Sequence, residues 1–234
     1  MIDKFVPDVA AALAGIADGA VILLPGFGNG MPETLVTGLL DQGSKDLTLV
    51  VNSGGRETGP TADLLSAGRI RKLICSFVRA DSVAGRLFAA GKLELEIVPQ
   101  GTLAERLRAG GSGVQAFYTP TGADTLLAEG RETRVIDGRE YLLEYALKLD
   151  YAFIRARSAD TAGNLRFHRS QRNFGPVMAT AARVTIAEID EPVGPAGSID
   201  PDDVHTPGIY VHRLVQVPPA PEGLWPVKRQ EKLR

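Results

Sequence analysis

The chain has 234 residues, 44% of them apolar and 23% charged, with a net charge of -2 and a single cysteine. That balance suits one large α/β domain whose core needs neither disulfides nor a structural metal. The scattered Lys and Arg residues give no field to gather nucleic acid or anionic lipid. The longest apolar run, residues 20–24, is far too short to span a bilayer, and no charged-then-apolar leader opens the chain, so neither partner class is expected and the expected compartment is the cytoplasm.

Four apolar β-type runs, residues 20–24, 47–51, 72–77 and 93–98, are each followed by turn residues and a helix-period segment. Near-continuous apolar runs suit strands covered on both faces, and the spacing leaves room for right-handed helical crossovers. Pro32 suits the first helical position ahead of ETLVTGLL, Gly43 stops that helix, and Thr102 with Glu105 forms a capping box ahead of LAERLRAG. In the second half, residues 134–137 and 140–145 flank Gly138 as a β-hairpin. Residues 152–156 and 164–167 read as further strands, 173–182 as a helix running into a strand at 183–188, and 209–217 as the last strand. The predicted fold is α/β, one open, mixed but mostly parallel sheet with helices on both faces, spanning residues 1–217 as one domain. Residues 218–234 form a Pro-rich, charged extension with Trp225 as its one anchor.

Three loops carry the candidate chemistry. Pro25-Gly26-Phe27-Gly28-Asn29-Gly30-Met31-Pro32 joins the first strand to the first predicted helix, where glycines let the backbone approach a ligand and the helix N-terminus offers N–H groups to a phosphate or oxyanion. A plain tight turn accounts for the same residues, and both readings stay open. The loop lacks the dinucleotide fingerprint's glycine spacing and the Gly-Lys-Ser/Thr of a P-loop. Asn52-Ser53-Gly54-Gly55 leaves the second strand, where the Asn52 amide is either an oxyanion donor or the start of a turn. In the third loop, residues 98–102, turn chemistry explains Pro99 and Gly101 but leaves Gln100 unexplained. Elsewhere Cys75 reads as a buried thiol inside RKLICSF. His168, His205 and His212 lack metal-ligand spacing, so no metal is expected, and Arg166, Arg169 and Arg172 suit a solvated face or a subunit contact better than a phosphate grip.

Residues 114–125, VQAFYTPTGADT, preceded by PQGTLAERLRAGGSG and followed later by RNFGPVMATAARVTIAE and HTPGIYVHR, closely resemble the A subunit of the class I (3-oxoacid) CoA-transferases, over about residues 1–217. The resemblance implies that Pro25, Gly26, Phe27, Gly28, Asn29 and Gly30 form a loop contacting coenzyme A. It also implies that Asn52 lies near the reacting thioester and Gln100 against the substrate. Asp18-Gly19, Gly26-Phe27 and Gly30-Met31-Pro32 match the family pattern. Pro25 departs from it by replacing the usual first glycine, and the stretch from Phe27 to Gly30 is about one residue shorter.

The family's mechanism needs a glutamate nucleophile in a Ser-Glu-Asn-Gly type segment, and these 234 residues contain none. Glu33, Glu57, Glu105 and Glu129 are the loop-adjacent carboxylates, Glu33 and Glu105 being read as helix starts explained by the helix dipole. The resemblance therefore implies no catalytic residue on this chain and a nucleophilic Glu on a B subunit, in a heterodimer or heterotetramer. It further implies coenzyme A as substrate with no permanently bound cofactor, an acyl-CoA donor such as succinyl-CoA, and a 3-oxo acid acceptor. RETRVIDGREYLLE and RKLICSF look most like the corresponding chains of enzymes acting on 3-oxoadipate, with acetoacetate the next choice. The competing readings are a CoA-thioester or ring-opening hydrolase, a sugar-phosphate isomerase of related architecture and a non-catalytic CoA-binding regulatory subunit.

Overall fold

The computed structural model describes residues 3–26, 28–55 and 57–218, so Phe27 and the extension beyond Pro218, with Trp225, lie outside the described residues. The first half alternates helices and strands: α1 (Val9–Leu13), β1 (Val21–Leu24), α2 (Glu33–Gln42), β2 (Leu47–Ser53), α3 (Pro60–Ser66), β3 (Ile70–Phe77), α4 (Val83–Ala89), β4 (Glu94–Ile97) and α5 (Gln100–Gly111). The second half holds β5 (Ala116–Thr119), β6 (Thr133–Ile136), β7 (Arg139–Tyr145), β8 (Leu149–Ala156), the two-residue β9 (Ser158–Ala159) and β10 (Leu165–Arg166), α6 (Gly175–Ala181), β11 (Ala182–Ile189) and β12 (Arg213–Gln216).

Seven strands form the main sheet in the order β12-β11-β8-β1-β2-β3-β4, every neighbouring pair parallel. The expected α/β fold with a mostly parallel sheet is found, with one correction: the antiparallel strands do not join that sheet but form β5-β7-β6 and the two-stranded β10-β9. Asp137 and Gly138, with φ of 51° and 74°, turn the β6–β7 hairpin, because a two-residue loop matching the strands' twist needs positive φ at both positions. From β1 the chain winds outward through β2, β3 and β4. From β8, on the other side of β1, it winds the opposite way through β11 and β12. The β1/β8 boundary is therefore a topological switch point, where crevices open at the carboxyl ends of the strands.

Two apolar layers sandwich the sheet. Ile22, Leu24, Leu49, Val51, Phe153 and Ile186 pack against Leu13, Leu35, Leu39, Leu64 and Leu65 of α1, α2 and α3. Leu23, Val50, Ile154 and Ala187 face the other way, onto Leu103 and Leu107 of α5 and Met178 and Ala179 of α6. Consecutive residues of one strand serve opposite layers, as the two-residue side-chain period requires.

Several local expectations need correction. Pro32 occupies the cap position rather than the first turn of α2, while Gly43 ends that helix at φ 90° as expected. The Thr102/Glu105 capping box does not form. Helix α5 starts earlier, at Gln100 with Pro99 rather than Thr102 at the cap position; Thr102 is buried in its first turn and Glu105 pairs with Arg108 within the helix. Gln100 is accordingly a helix residue rather than a loop residue, and Glu105 is no helix start. The predicted 173–182 helix begins only at Gly175, after the Asn173 side chain accepts the Phe174 N–H at 2.5 Å. The final strand shrinks to Arg213–Gln216 because Gly208–Tyr210 forms a 3-10 turn.

Candidate functional site

Both strands that matter end at the same edge. Gly26 leaves β1 at φ 77°, and a Cβ there would lie 2.8 Å from the Asn52 nitrogen and 3.0 Å from the Ser53 nitrogen. Only glycine permits this conformation and this approach, so the Gly26 backbone lies flat against the end of β2. Its N–H points to the Met31 sulfur at 3.1 Å. Gly28–Gly30 makes a short 3-10 turn, closed by the Met31 N–H on the Gly28 carbonyl at 3.1 Å. Across the edge, the Gly54 N–H donates to the Phe77 carbonyl at 2.6 Å and fixes the end of β2 to β3.

A cavity of 270 Å³ opens between these ends, α2 and α3, lined by Gly26, Gly28, Met31, Glu33, Val36, Val51, Ser53, Gly55 and residues 58–61. Gly55 and Gly59 both have positive φ, which wraps the β2–α3 connection around its mouth. Glu33 is the only ionisable side chain among the described lining residues. Thr58, Gly59 and Thr61 were not singled out from the sequence; the Gly59-Pro60 pair ahead of α3 was the available signal.

Asn52 and Gln100, separated by 48 positions, meet: the Gln100 Nε2 donates to the Asn52 Oδ1 at 2.8 Å. That leaves the Asn52 amide N–H groups and the Gln100 carbonyl oxygen to serve other partners. Neither residue lines the cavity. Strand β2 runs through Ser53, so Val51 and Ser53 project toward the cavity while Asn52 projects to the α5 face. The three candidate loops thus form two neighbouring regions on either side of one sheet edge. Gly26 and Gly28 line the cavity, Asn52 and Gln100 form an amide pair opposite, and Pro25 and Gly30 line neither. Asn29 lies within the 3-10 turn.

The N-terminus of α2 is not wholly open to an anion from outside. Its Thr34 and Leu35 N–H groups donate to the Glu188 Oε2 at 3.0 and 3.2 Å. This carboxylate, 1% exposed, reaches across from β11. Two of the N–H groups that this helix start could offer a phosphate or oxyanion are thus already taken from within the chain. Burial pushes the Glu188 carboxyl up to about 7, against the pull of Arg155 and of the two amides, with Asp190 adding to the push. Sequence reading passed over Glu188 because its partners lie 153 and 154 positions away. Cys75 is buried in β3, and desolvation raises its thiol to about 11, so it is no nucleophile. Among the described residues no helix is long and apolar enough to cross a membrane.

Known proteins share this sequence and frame. The model of the Coenzyme A transferase family matches residues 6–217. The A subunit of 3-oxoadipate CoA-transferase from Pseudomonas putida is 51% identical over 220 residues, covering 93% of this chain and 95% of its own length. The A subunit of succinyl-CoA:3-ketoacid coenzyme A transferase from Xanthomonas campestris pv. campestris is 52% identical over 210 residues, 89% of this chain and 86% of that one. Among solved structures, an acyl-CoA transferase from E. coli O157:H7, in a thioester complex with CoA, superposes with a TM-score of 0.83 at 23% identity. That match covers 97% of this chain and 50% of the other, so this chain spans half the length of that one.

Proposed function

We propose, because the chain belongs to the coenzyme A transferase family, that it is the A subunit of a cytoplasmic enzyme which moves CoA from an acyl-CoA to a 3-oxo acid. The chemistry is shared with a B subunit, in a heterodimer or heterotetramer. There a glutamate carboxylate of the B chain attacks the thioester carbonyl and expels CoA thiolate, leaving a mixed anhydride. The thiolate returns to the glutamyl carbonyl and expels the donor carboxylate, and the resulting glutamyl thioester passes CoA to the acceptor acid by the same two steps reversed. No permanently bound cofactor takes part; coenzyme A is a substrate.

The observation that carries this reading is the paired geometry at the carboxyl edge, a backbone-lined cavity on one side and an amide pair on the other. At 270 Å³ the cavity is smaller than the ~300–1,000 Å³ typical of whole-ligand pockets. Its described lining holds no cation and one carboxylate, which suits the neutral thiol-bearing arm of CoA and leaves the phosphates outside. Pro25, Gly26, Phe27, Gly28, Asn29 and Gly30 form the loop against which that arm runs. Asn52 and Gln100 face the acyl group, where neutral N–H donors stabilise an oxyanion without being consumed by proton transfer. Residues 1–217 form the domain that does this, and residues 218–234 are an extension outside it.

For the acceptor we propose 3-oxoadipate. The support is the likeness of RETRVIDGREYLLE and RKLICSF to chains of enzymes acting on that acid, although no residue of either segment lines the cavity. The two relatives above differ in substrate at nearly equal identity, so overall identity does not choose.

The test is exchange of CoA from succinyl-CoA to 3-oxoadipate or acetoacetate. The chain alone should give none, and the chain reconstituted with its B subunit should give ping-pong kinetics. Turnover by the lone polypeptide would overturn the reading, and release of free CoA without an acceptor would replace transfer by hydrolysis. Gly28→Val in the reconstituted enzyme should weaken acyl-CoA binding by about tenfold or more while thermal unfolding stays near the native value.

A further inference from the structure

Helix α2 begins without a local cap. Pro32 at its cap position makes no side-chain hydrogen bond, yet Leu35 and Val36 are buried, so N–H groups in the first turn need an acceptor. A Ser, Thr, Asp or Asn at position 32 would supply one locally. The chain instead brings Glu188 from β11, at the cost of burying a carboxylate. That choice ties the start of α2 to the far half of the sheet.

The tie continues toward the other wall of the glycine loop. The Glu188 Oε1 lies 3.8 Å from the Arg155 Nε, from the adjacent strand β8, and the same Nε donates to Asp190 at 2.7 Å. Asp190 also accepts from the Gln171 Nε2 at 2.9 Å, while the Gln171 Oε1 accepts the His168 N–H at 3.0 Å. Gln171 closes the 3-10 turn Arg169–Gln171. This segment abuts Gly30: a Cβ on Gly30 would lie 3.1 Å from the Gln171 carbonyl oxygen and 2.5 Å from the Asn173 Nδ2. The far end of the loop that starts at Pro25 is thus held from two sides by one chain of contacts. Glu188 fixes the helix into which it runs, and through Arg155, Asp190 and Gln171 it fixes the turn against which Gly30 rests.

We propose that Glu188 is a positioning residue for the CoA loop, holding the Gly28–Gly30 turn and the first turn of α2 in the arrangement that accepts the acyl-CoA. The inference rests on the assignment of this loop to CoA made above. Arg155 from β8 and Asp190, just past the end of β11, are the charged groups facing Glu188, and the Thr34 and Leu35 N–H groups face it from α2. With its carboxyl raised to about 7 by burial, Glu188 gains its charge, and its stronger hold on those amides, as pH rises through neutrality. Both amides pull the carboxyl down against burial, so closing the first turn of α2 over a Glu188 that stays within the sheet is favoured from pH 6 to pH 8, although unfolding, which exposes the carboxyl, is favoured by the same rise.

The experiment uses the reconstituted two-chain enzyme and compares wild type with Glu188→Gln, which keeps shape and an acceptor oxygen but never ionises. Two readouts are taken from pH 6 to 8.5: the KM for acyl-CoA beside kcat, and amide hydrogen exchange over residues 30–36 without ligand, corrected for intrinsic rates. Wild type should show KM falling and protection at Thr34 and Leu35 rising with pH. In Glu188→Gln both should be flat, with KM at pH 8 raised about tenfold and kcat within about twofold. Identical exchange profiles in wild type and variant would overturn the positioning role. A changed exchange profile with unchanged KM would instead show that the loop is not the CoA site, removing the assignment on which the role rests. Should Glu188→Gln fail to fold, Asp190→Asn leaves Glu188 in place and cuts the relay to Gln171. It should raise KM about threefold with weakened protection at Gly30 and Met31, and native KM and native protection in it would overturn the proposal equally.

Discussion

The two sides of the carboxyl edge are built from different materials. On the α2/α3 side the cavity is a backbone construction, with Gly26 pressed against the Asn52 and Ser53 nitrogens and Gly55 and Gly59 bending the chain around its mouth. On the α5 side the Asn52–Gln100 pair is a side-chain construction, held by one hydrogen bond and open to solvent. A backbone surface fails when anything is added to it; an amide pair fails when something is taken away. At Gly26, where the backbone is pressed against β2, the first kind of failure damages the fold together with the site, whereas the second leaves the fold intact.

The largest expected effect is therefore on the backbone side. Gly26→Val places a Cβ within 2.8 Å of main-chain nitrogen at a positive φ, and should cost on the order of 3 kcal/mol or more of stability. Chemical denaturation measures this, and a native midpoint would show that the loop can retreat from β2. Next, Gln100→Ala in the reconstituted enzyme should lower kcat about 10²-fold with the melting temperature unchanged. A rise in KM alone would make Gln100 a binder of ground and transition state alike. In a double-mutant cycle with Asn52→Ala, the coupling in kcat should be on the order of 1 kcal/mol, since the two amides share a hydrogen bond. Additive losses would mean that they act separately.

Buried charge gives a third, pH-dependent contrast. A carboxyl raised from 4.5 to about 7 in the folded protein favours folding most below pH 4.5 and loses that contribution as pH rises to about 7. Relative to Glu188→Gln, wild type should thus lose on the order of 3 kcal/mol between those limits, read from urea midpoints across pH. A constant difference would place the Glu188 titration outside that window. The smallest effect concerns Cys75: because its thiol is buried and raised to about 11, thiol-blocking reagents applied to the folded enzyme before CoA is added should leave turnover within about 10% of native. Inactivation would reveal an opening of the core near β3.

Much of this frame was legible because its signals are local. Apolar runs marked β1 to β4, although the edge strand β4 is fully covered on neither face, Gly43 ended α2, and Gly138 marked the hairpin turn, each stated within a few residues of chain. The misreadings came from distance and from boundaries. Thr102 and Glu105 have the spacing of a capping box, but Pro99 starts the helix earlier and puts Thr102 inside it. Strand β2 was read as ending at Val51; its continuation through Ser53 decides, by parity alone, that Asn52 leaves the cavity and joins Gln100. Nothing near Glu188 announces that its carboxylate caps a helix some 150 residues away.

Strand order also sets a timetable. Strands β1 to β4 pair with partners nearby in sequence, whereas β8 reaches β1 only through pairs such as Ile22 with Tyr151, and β11 joins after that. Contacts between near neighbours close quickly, and those spanning long stretches of chain close late. Gly26, Asn52 and Gln100 all belong to the early part, while the carboxylate that latches α2 arrives with the late part. A chain emerging from the ribosome can thus raise both walls of its cavity before the latch has been synthesised, so a late event of folding is the one that ties down the start of α2.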